Sequence, residues 1–316
     1  MLTPATKARF EAAVMCPPVA QDIRAAAAAA RTGRSEALFD IAAALAHAAF
    51  AAPETGRAVT AAFCAGWLGD GAMLAMPDAA AAPLGRDFWD AFWDQFADNG
   101  PSDPLAITGR VVALGGKLDL SMLARSEAVA AAHPKAADPV HRQVSPKLTL
   151  GELEHLPKGS LGYAFFRQIV DNAFDLEVLD RETLSLSMLP PALRFLNTRI
   201  LQMHDVWHLM GPFETTALHE IAISAFQQAQ FGHGYSAMFL AVVAGRLAFG
   251  GAAAATVILD TIADAARFGA ESPSFMAIPW EAEWHRPIAE IRARYGLTPF
   301  QARHPADIFE RFRPAA

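Results

Sequence analysis

The chain reads as an all-α protein, a multi-helix globular bundle. Three observations predict this. Apolar residues recur at helical spacing through most of its 316 residues, proline, glycine and capping residues punctuate those segments, and no run of alternating β-branched residues announces a strand. A hydrophobic content of 53% fills a sizeable core.

Residues 20–31 and 35–51 are the first candidate helices, the second ended by Pro53. A third, 57–76, is apolar but interrupted by Gly66, Gly69 and Gly71. From Arg86 to Phe96, the residues Phe88, Trp89, Phe92, Trp93 and Phe96 make one helical stripe, with Asp87, Asp90 and Asp94 largely off it. Helix packing is its expected use, since aromatic stripes at this spacing normally build core; a membrane-interface or ligand-lining face is the alternative.

The sharpest break is Asn99-Gly100-Pro101-Ser102-Asp103-Pro104. It divides an alanine-rich helical N-terminal region, 1–100, whose role the residues leave open, from a helical metal-binding domain, 101–316. In the second part, helices are expected at 104–114 and 119–132, then a polar loop through 133–147 and a short helix beginning near Thr149. The turn Leu156-Pro157-Lys158-Gly159-Ser160-Leu161-Gly162 leads into a helix at 163–175. It lacks a dinucleotide- or phosphate-binding glycine pattern and reads as a tight helix–helix turn. Pro190-Pro191 opens a helix at 191–210, and helices at 215–230, 235–248, 252–268 and 280–295 follow.

Composition narrows the function. With 26 basic and 33 acidic residues the net charge is −7, which excludes a nucleic-acid partner and a polybasic grip on anionic lipid. Cys16 and Cys64 have no metal or disulfide spacing and read as buried thiols in a reducing, cytoplasmic setting. No secretory signal is expected, since Lys7 and Arg9 are followed by Phe10-Glu11 rather than an apolar run. The apolar stretch from Leu247 to Leu259 is too short to span a bilayer, which takes about 20 helical residues.

The chemistry concentrates in His204-Asp205-Val206-Trp207-His208, followed after eleven residues by Glu220. On a helix the two histidines are four apart, about 40° around the axis, so both imidazoles leave one face a turn apart. Asp205 lies about 100° away, within reach of the ion or of a histidine it would orient. Gly211-Pro212 stops this helix, and Thr215 or Thr216 caps the next. Glu220 then returns antiparallel; on one unbroken helix it would stand roughly 18 Å from His208. The expected result is a metal site between two antiparallel helices.

Other titratable groups carry less. His219 and His233 are near the motif but read individually as core or surface histidines. Glu152-Leu153-Glu154-His155 holds one ExxH, whereas a di-iron bundle site needs two and further glutamates. A metal-dependent phosphohydrolase would need more histidine and aspartate ligands and a basic phosphate site.

The pattern His-Asp-x-x-His, eleven residues, Glu resembles the zinc motif of the coenzyme Q biosynthesis protein four family, matched here by His204, Asp205, His208 and Glu220. The turn Leu156 to Gly162, Arg199, Pro287 and Arg292 resemble further features of that family, and the likeness covers roughly 103–300. The chain departs from it in having His219 where glycine usually precedes the glutamate, and in the placement of Tyr163 and Phe165.

The resemblance implies ubiquinone biosynthesis by an all-helical protein lying peripherally on the cytoplasmic face of a membrane. It implies a lyase-type activity: oxidative C1 decarboxylation and hydroxylation of a polyprenylated 4-hydroxybenzoate-type head group. The candidate partners are the polyprenylated quinone precursor, the membrane surface, other quinone-biosynthesis proteins and a second copy of the chain.

Two imidazoles with carboxylates suit zinc, and equally the facial triad of an Fe(II) oxygenase on another apolar substrate. Catalysis needs an open position on the ion, so His204, His208 and Glu220 are the expected inner ligands. Asp205 is expected to orient a ligating histidine or to accept a proton, and Asp205 and Glu220 are the candidate catalytic carboxylates. A non-catalytic lipid-binding or scaffold protein of a quinone-biosynthesis complex is the competing class.

Overall fold

The computed structural model describes residues 2–96, 104–136, 149–174, 176 and 186–312. Among them the regular elements are helices, and the β-type pairing found is one isolated antiparallel bridge between Ser160 and Pro287. The N-terminal helices are α1 (Pro4–Met15), α2 (Ala20–Arg31), α3 (Ala37–Ala46), α4 (Gly56–Leu68) and α5 (Arg86–Asp94). Then come α6 (Pro104–Gly115), α7 (Ser121–Ala132), α8 (Leu150–Glu154) and α9 (Leu161–Asp171). The C-terminal set is α10 (Pro191–Met210), α11 (Ala217–Phe231), α12 (Gly234–Phe249), α13 (Ala255–Glu271), α14 (Trp280–Glu283) and α15 (Ile288–Tyr295).

Most elements fall where periodicity and breakers put them, and the differences have local causes. Helix α1 has no strong amphipathic pattern: it buries Phe10 and Val14, one turn apart, and is started by Thr3, whose hydroxyl accepts from the Thr6 amide at 3.1 Å. Helix α4 ends at Leu68 rather than near 76, because Gly69 takes the left-handed conformation at φ +82° and terminates it. The expected helix 280–295 is two pieces, α14 and α15, separated at Pro287, which cannot supply the amide a continuous helix needs. The expected boundary at Asn99–Asp103 and most of the 133–147 loop lie outside the described residues.

One large core joins early and late parts of the chain. Val59, Phe63 and Trp67 of α4 are buried in the same cluster as Met203 and Trp207 of α10, Phe226 of α11 and Ile262 of α13. Each such side chain contributes about 1.5–3 kcal/mol on full burial. Helices cross closely where glycine removes the side chain: a Cβ on Gly66 would land on the Arg24 carbonyl of α2, and one on Gly269 of α13 would meet the Phe226 backbone of α11. The Trp67 indole N–H donates to Asp260 at 3.0 Å, so the polar edge of this tryptophan is satisfied inside the core.

The aromatic stripe of α5 forms a second core. Phe88, Trp89, Phe92 and Trp93 are buried with Phe10 and Phe50, and Phe10 lies 5.7 Å from Phe92 and 5.1 Å from Phe249 by ring centroids. Packing between helices consumes the stripe.

Among the described residues no single helix is long and apolar enough to cross a membrane; α12 with 252–271 passes by length and composition only as a pair bent by 115°. These two helices turn their apolar faces into the core, burying Leu240, Val242 and Leu247 of α12 and Ile258, Leu259 and Ile262 of α13. The exposed large apolar side chains stand elsewhere, among them Leu120, Leu123, Val170, Phe174 and Met188.

Candidate metal centre

Helix α10 carries the histidines and is held at both ends by distant side chains. Pro191 occupies its first position, and the Glu127 carboxylate of α7 accepts from the next two amides, Ala192 and Leu193, at 2.9 and 2.8 Å. A carboxylate there meets the positive end of the helix dipole. At the other end Arg292 of α15 donates to the Leu209 and Met210 carbonyls at 2.9 and 3.1 Å. Arg199, in mid-helix and buried, pairs with Glu281.

The Gly211-Pro212 break then turns the chain, with Gly211 donating back to Trp207 at 2.8 Å and its carbonyl accepting from Phe300 at 3.1 Å. Thr216 caps α11, its hydroxyl accepting from the His219 amide at 3.4 Å. This start places Glu220 in the first turn of α11, beside the histidines. Its carboxylate oxygens stand 3.7 Å from His204 Nε2 and 3.4 Å from His208 Nε2. The two imidazole rings are 4.7 Å apart. Asp205 joins them: one ligating atom each from His204, Asp205 and His208 lie within 4.8 Å of one another.

Of the four sequence-predicted residues, His204, Asp205 and His208 therefore form one close set, and Glu220 stands against its two histidines. His208 is deeply buried, whereas the side chains of His204 and Glu220 are 27% and 38% exposed, so the cluster is reachable from one side.

The hydrogen bonding of His208 determines what the cluster can hold. Its Nδ1 lies 2.9 Å from the Phe213 carbonyl, which has no proton to give, so Nδ1 is the donor. In the neutral ring Nε2 is then a bare lone pair, facing a carboxylate oxygen at 3.4 Å. Two acceptors at that separation require a proton or a metal ion between them. Zinc bound at about 2.0–2.1 Å has tetrahedral ligand edges of about 3.3 Å, close to these separations. The donor set, two imidazoles and two carboxylates, fits a divalent ion of the zinc or iron type.

Protonation follows the same contacts. Burial pushes the His208 pKa down, but the hydrogen bond and charge of Glu220 outweigh it and the value is raised. For His204 burial dominates and the pKa is lowered. Burial pushes Glu220 upward, yet the His208 hydrogen bond and the neighbouring histidines bring it below the usual glutamate value.

His219 is packed away. Its Nδ1 accepts from the Glu214 amide at 2.8 Å, and its ring lies edge-on to Phe213 and Phe300 at 6.4 and 6.1 Å. His233 is likewise buried, with Nδ1 2.8 Å from Ser236 Oγ and Nε2 3.3 Å from Asn197 Oδ1.

In the glycine turn before α9 the amides from Ser160 to Tyr163 are taken up within the fold. Leu161 and Gly162 donate to the Arg286 and Trp284 carbonyls at 2.7 and 3.0 Å, and Ser160 caps α9 through the Tyr163 amide. Glu127 and the Phe213 carbonyl were missed by sequence reasoning. The first has no motif, and the second is a main-chain atom whose position depends on the Gly211-Pro212 turn.

The family model described as "Coenzyme Q (ubiquinone) biosynthesis protein Coq4" matches residues 139–301, which include all four residues of the cluster. The COQ4 homolog of Homo sapiens, named a mitochondrial ubiquinone biosynthesis protein, is 24% identical over 157 residues, 48% of this chain and 55% of that protein. The Bos taurus homolog is 25% identical over the same length and the same shares. The chain spans about half the length of the curated relatives it matches. A crystal structure of a proposed ubiquinone biosynthesis protein from Nostoc punctiforme superposes with a TM-score of 0.50 at 22% identity, covering 68% of this chain and 99% of that one, and shares its fold. With the family model covering just over half of its length, the chain belongs to the coenzyme Q (ubiquinone) biosynthesis protein Coq4 family.

Proposed function

We propose that this protein acts in ubiquinone biosynthesis as a metal-dependent enzyme on the head group of a polyprenylated 4-hydroxybenzoate-type precursor. The observation that carries the metal reading is the convergence of ligating atoms from His204, Asp205 and His208, with the Glu220 carboxylate against both histidine Nε2 atoms. His204, His208 and Glu220 would hold zinc, with iron as the alternative, and Asp205 lies close enough to ligate or to accept a proton. Bound there, the ion would supply Lewis acidity toward a carboxylate or phenolate oxygen.

The reaction proposed is replacement of the C1 carboxylate by hydroxyl. The bond from C1 to the carboxylate carbon breaks and carbon dioxide leaves; a C1–oxygen bond forms. With water as the oxygen source, the ionised carboxylate gives carbon dioxide, the phenol, one proton and two electrons, the electrons going to an acceptor such as dioxygen. In this reading Asp205 takes a proton, and the partly exposed Glu220 and His204 line the side from which the head group arrives. The isoprenoid tail would meet apolar surface at ~25 cal/mol per Å². The exposed Leu120, Leu123, Val170, Phe174 and Met188 are the groups proposed to contact a lipid surface.

Complementation of a quinone-deficient host tests this reading, with the accumulating precursor identified by mass spectrometry. Precursor that retains its carboxylate with Glu220→Ala, and is consumed with the unaltered chain, is the expected result. Rescue by a variant that has lost its metal would instead identify a scaffold.

A further inference from the structure

Away from the histidine cluster, a cavity of about 240 Å³ opens between α4, α11 and α13. Its walls are largely small and apolar, with Ala61 and Ala65 from α4, Ala229 from α11, and Ala266 and Ala270 from α13. The short segment His133-Pro134-Lys135 and the loop at Asp70 complete the lining.

The charges around it do not cancel. Asp70 is paired with Arg267. Lys135 is turned onto the C-terminal carbonyls of α13, donating to Gly269 and Ala270 at 2.9 and 2.6 Å, with Glu271 the acidic group acting on it. Arg57 remains. It is exposed in the first turn of α4 and has no hydrogen bond or ion pair among the described residues, although its charge is felt at His133.

His133 is the second unsatisfied group. The ring is buried, and its Nδ1 accepts from the Lys135 amide at 3.4 Å, which leaves the proton on Nε2. That Nε2 has no partner among the described residues. A buried donor without an acceptor is costly, and the ring that carries it is part of the cavity wall beside an unpaired guanidinium. Both groups call for one acceptor with one negative charge.

We propose that this cavity binds a small organic monocarboxylate, its carboxylate held by Arg57 and His133 and its apolar body lying against the alanine walls. The planar guanidinium matches a carboxylate in two parallel bonds, and a volume of this order takes one ring or a short chain rather than a prenylated molecule. Three lining cations against two lining carboxylates leave a single positive charge, which favours a monoanion over a phosphate. Arg57, His133 and Lys135 all precede residue 139, where the family match begins, so the inference does not rest on the Coq4 reading.

The test is titration of the full chain with benzoate and hexanoate, followed by saturation-transfer NMR and thermal shift. Benzamide and inorganic phosphate serve as the neutral and the polyanionic probe. Saturable binding of at least one carboxylate, one per chain, is expected, with benzamide silent and phosphate weaker. Arg57→Gln, at an exposed position, weakens binding about ten-fold or more, as loss of a charge-assisted bond does. Ala270→Phe, also at an exposed position, fills the mouth and abolishes it. Absence of saturable binding by either carboxylate, equal binding of benzamide or phosphate, or retention of affinity in both variants overturns the proposal.

Discussion

His208 and Phe213 are joined in both directions: the Phe213 amide donates to the His208 carbonyl at 3.0 Å, and the Phe213 carbonyl accepts from His208 Nδ1 at 2.9 Å. The turn that breaks α10 thus also fixes the tautomer of the histidine preceding it. Phe213 is in turn held by its ring, stacked 4.9 Å from Phe300 and tilted against Phe226 at 5.6 Å.

His208→Ala removes the buried imidazole and should abolish metal binding. Asp205→Asn should lower affinity by ~10–100-fold if the carboxylate orients a ligand rather than binding directly. Elemental analysis of purified protein, expected to show about one divalent ion per chain in the unaltered protein, measures both. A metal-free chain that stays folded and active would end the metal reading.

Glu127→Gln keeps the shape of the group on the Ala192 and Leu193 amides but removes its charge. Loss of the favourable meeting with the helix dipole should cost about 0.5–2 kcal/mol. The midpoint of urea unfolding reports it.

Gly66→Ala forces a methyl group onto the Arg24 carbonyl and the Ala27 side chain of α2. Overpacking of this kind costs about 1–3 kcal/mol, and calorimetry should show a lowered Tm.

Acid should destabilise the fold through His133. Burial, with the charges of Arg57 and Lys135, lowers its pKa from 6.5 to about 4 in the folded chain. The unfolded chain therefore binds the proton first as pH falls: stability is fully present above 6.5 and is lost progressively down to about 4. His233, lowered to about 3 by burial and by His204, acts in the same direction. In His133→Gln the slope of stability against pH over that window should be shallower than in the unaltered chain.

Attachment to lipid should survive salt. With a net charge of −7 an electrostatic grip on anionic vesicles is not expected, and apolar contact is indifferent to screening. Release from vesicles in about 1 M salt, where the Debye length is near 3 Å, would contradict the apolar mode.

The motif was legible because its information is local: two histidines at helical spacing, a glycine-proline stop and a threonine cap fix where Glu220 returns. The bounds of α10 could be read from Pro190-Pro191 and Gly211-Pro212 for the same reason. What could not be read depends on distant partners. Glu127 caps a helix 65 residues away, Arg292 holds carbonyls 82 and 83 residues back, and a histidine beside the motif, His219, takes a main-chain amide. Which neighbours cover the apolar residues of α12 and α13 is likewise not written in their composition; the packing buries Leu240 and Leu247 of the one and Leu259 and Ile262 of the other.

The hold that Arg292 and Phe300 keep on the Leu209–Gly211 turn would make a bound metal and the C-terminal segment thermodynamic partners. Whatever frays α15 loosens the turn whose neighbour, Phe213, orients His208, so an ion that prefers the ordered turn must by linkage also suppress fraying. Its imprint is then expected at a distance, as slower hydrogen exchange at the Leu297 and Phe300 amides, which donate to Arg292 and Gly211 and touch no ligand.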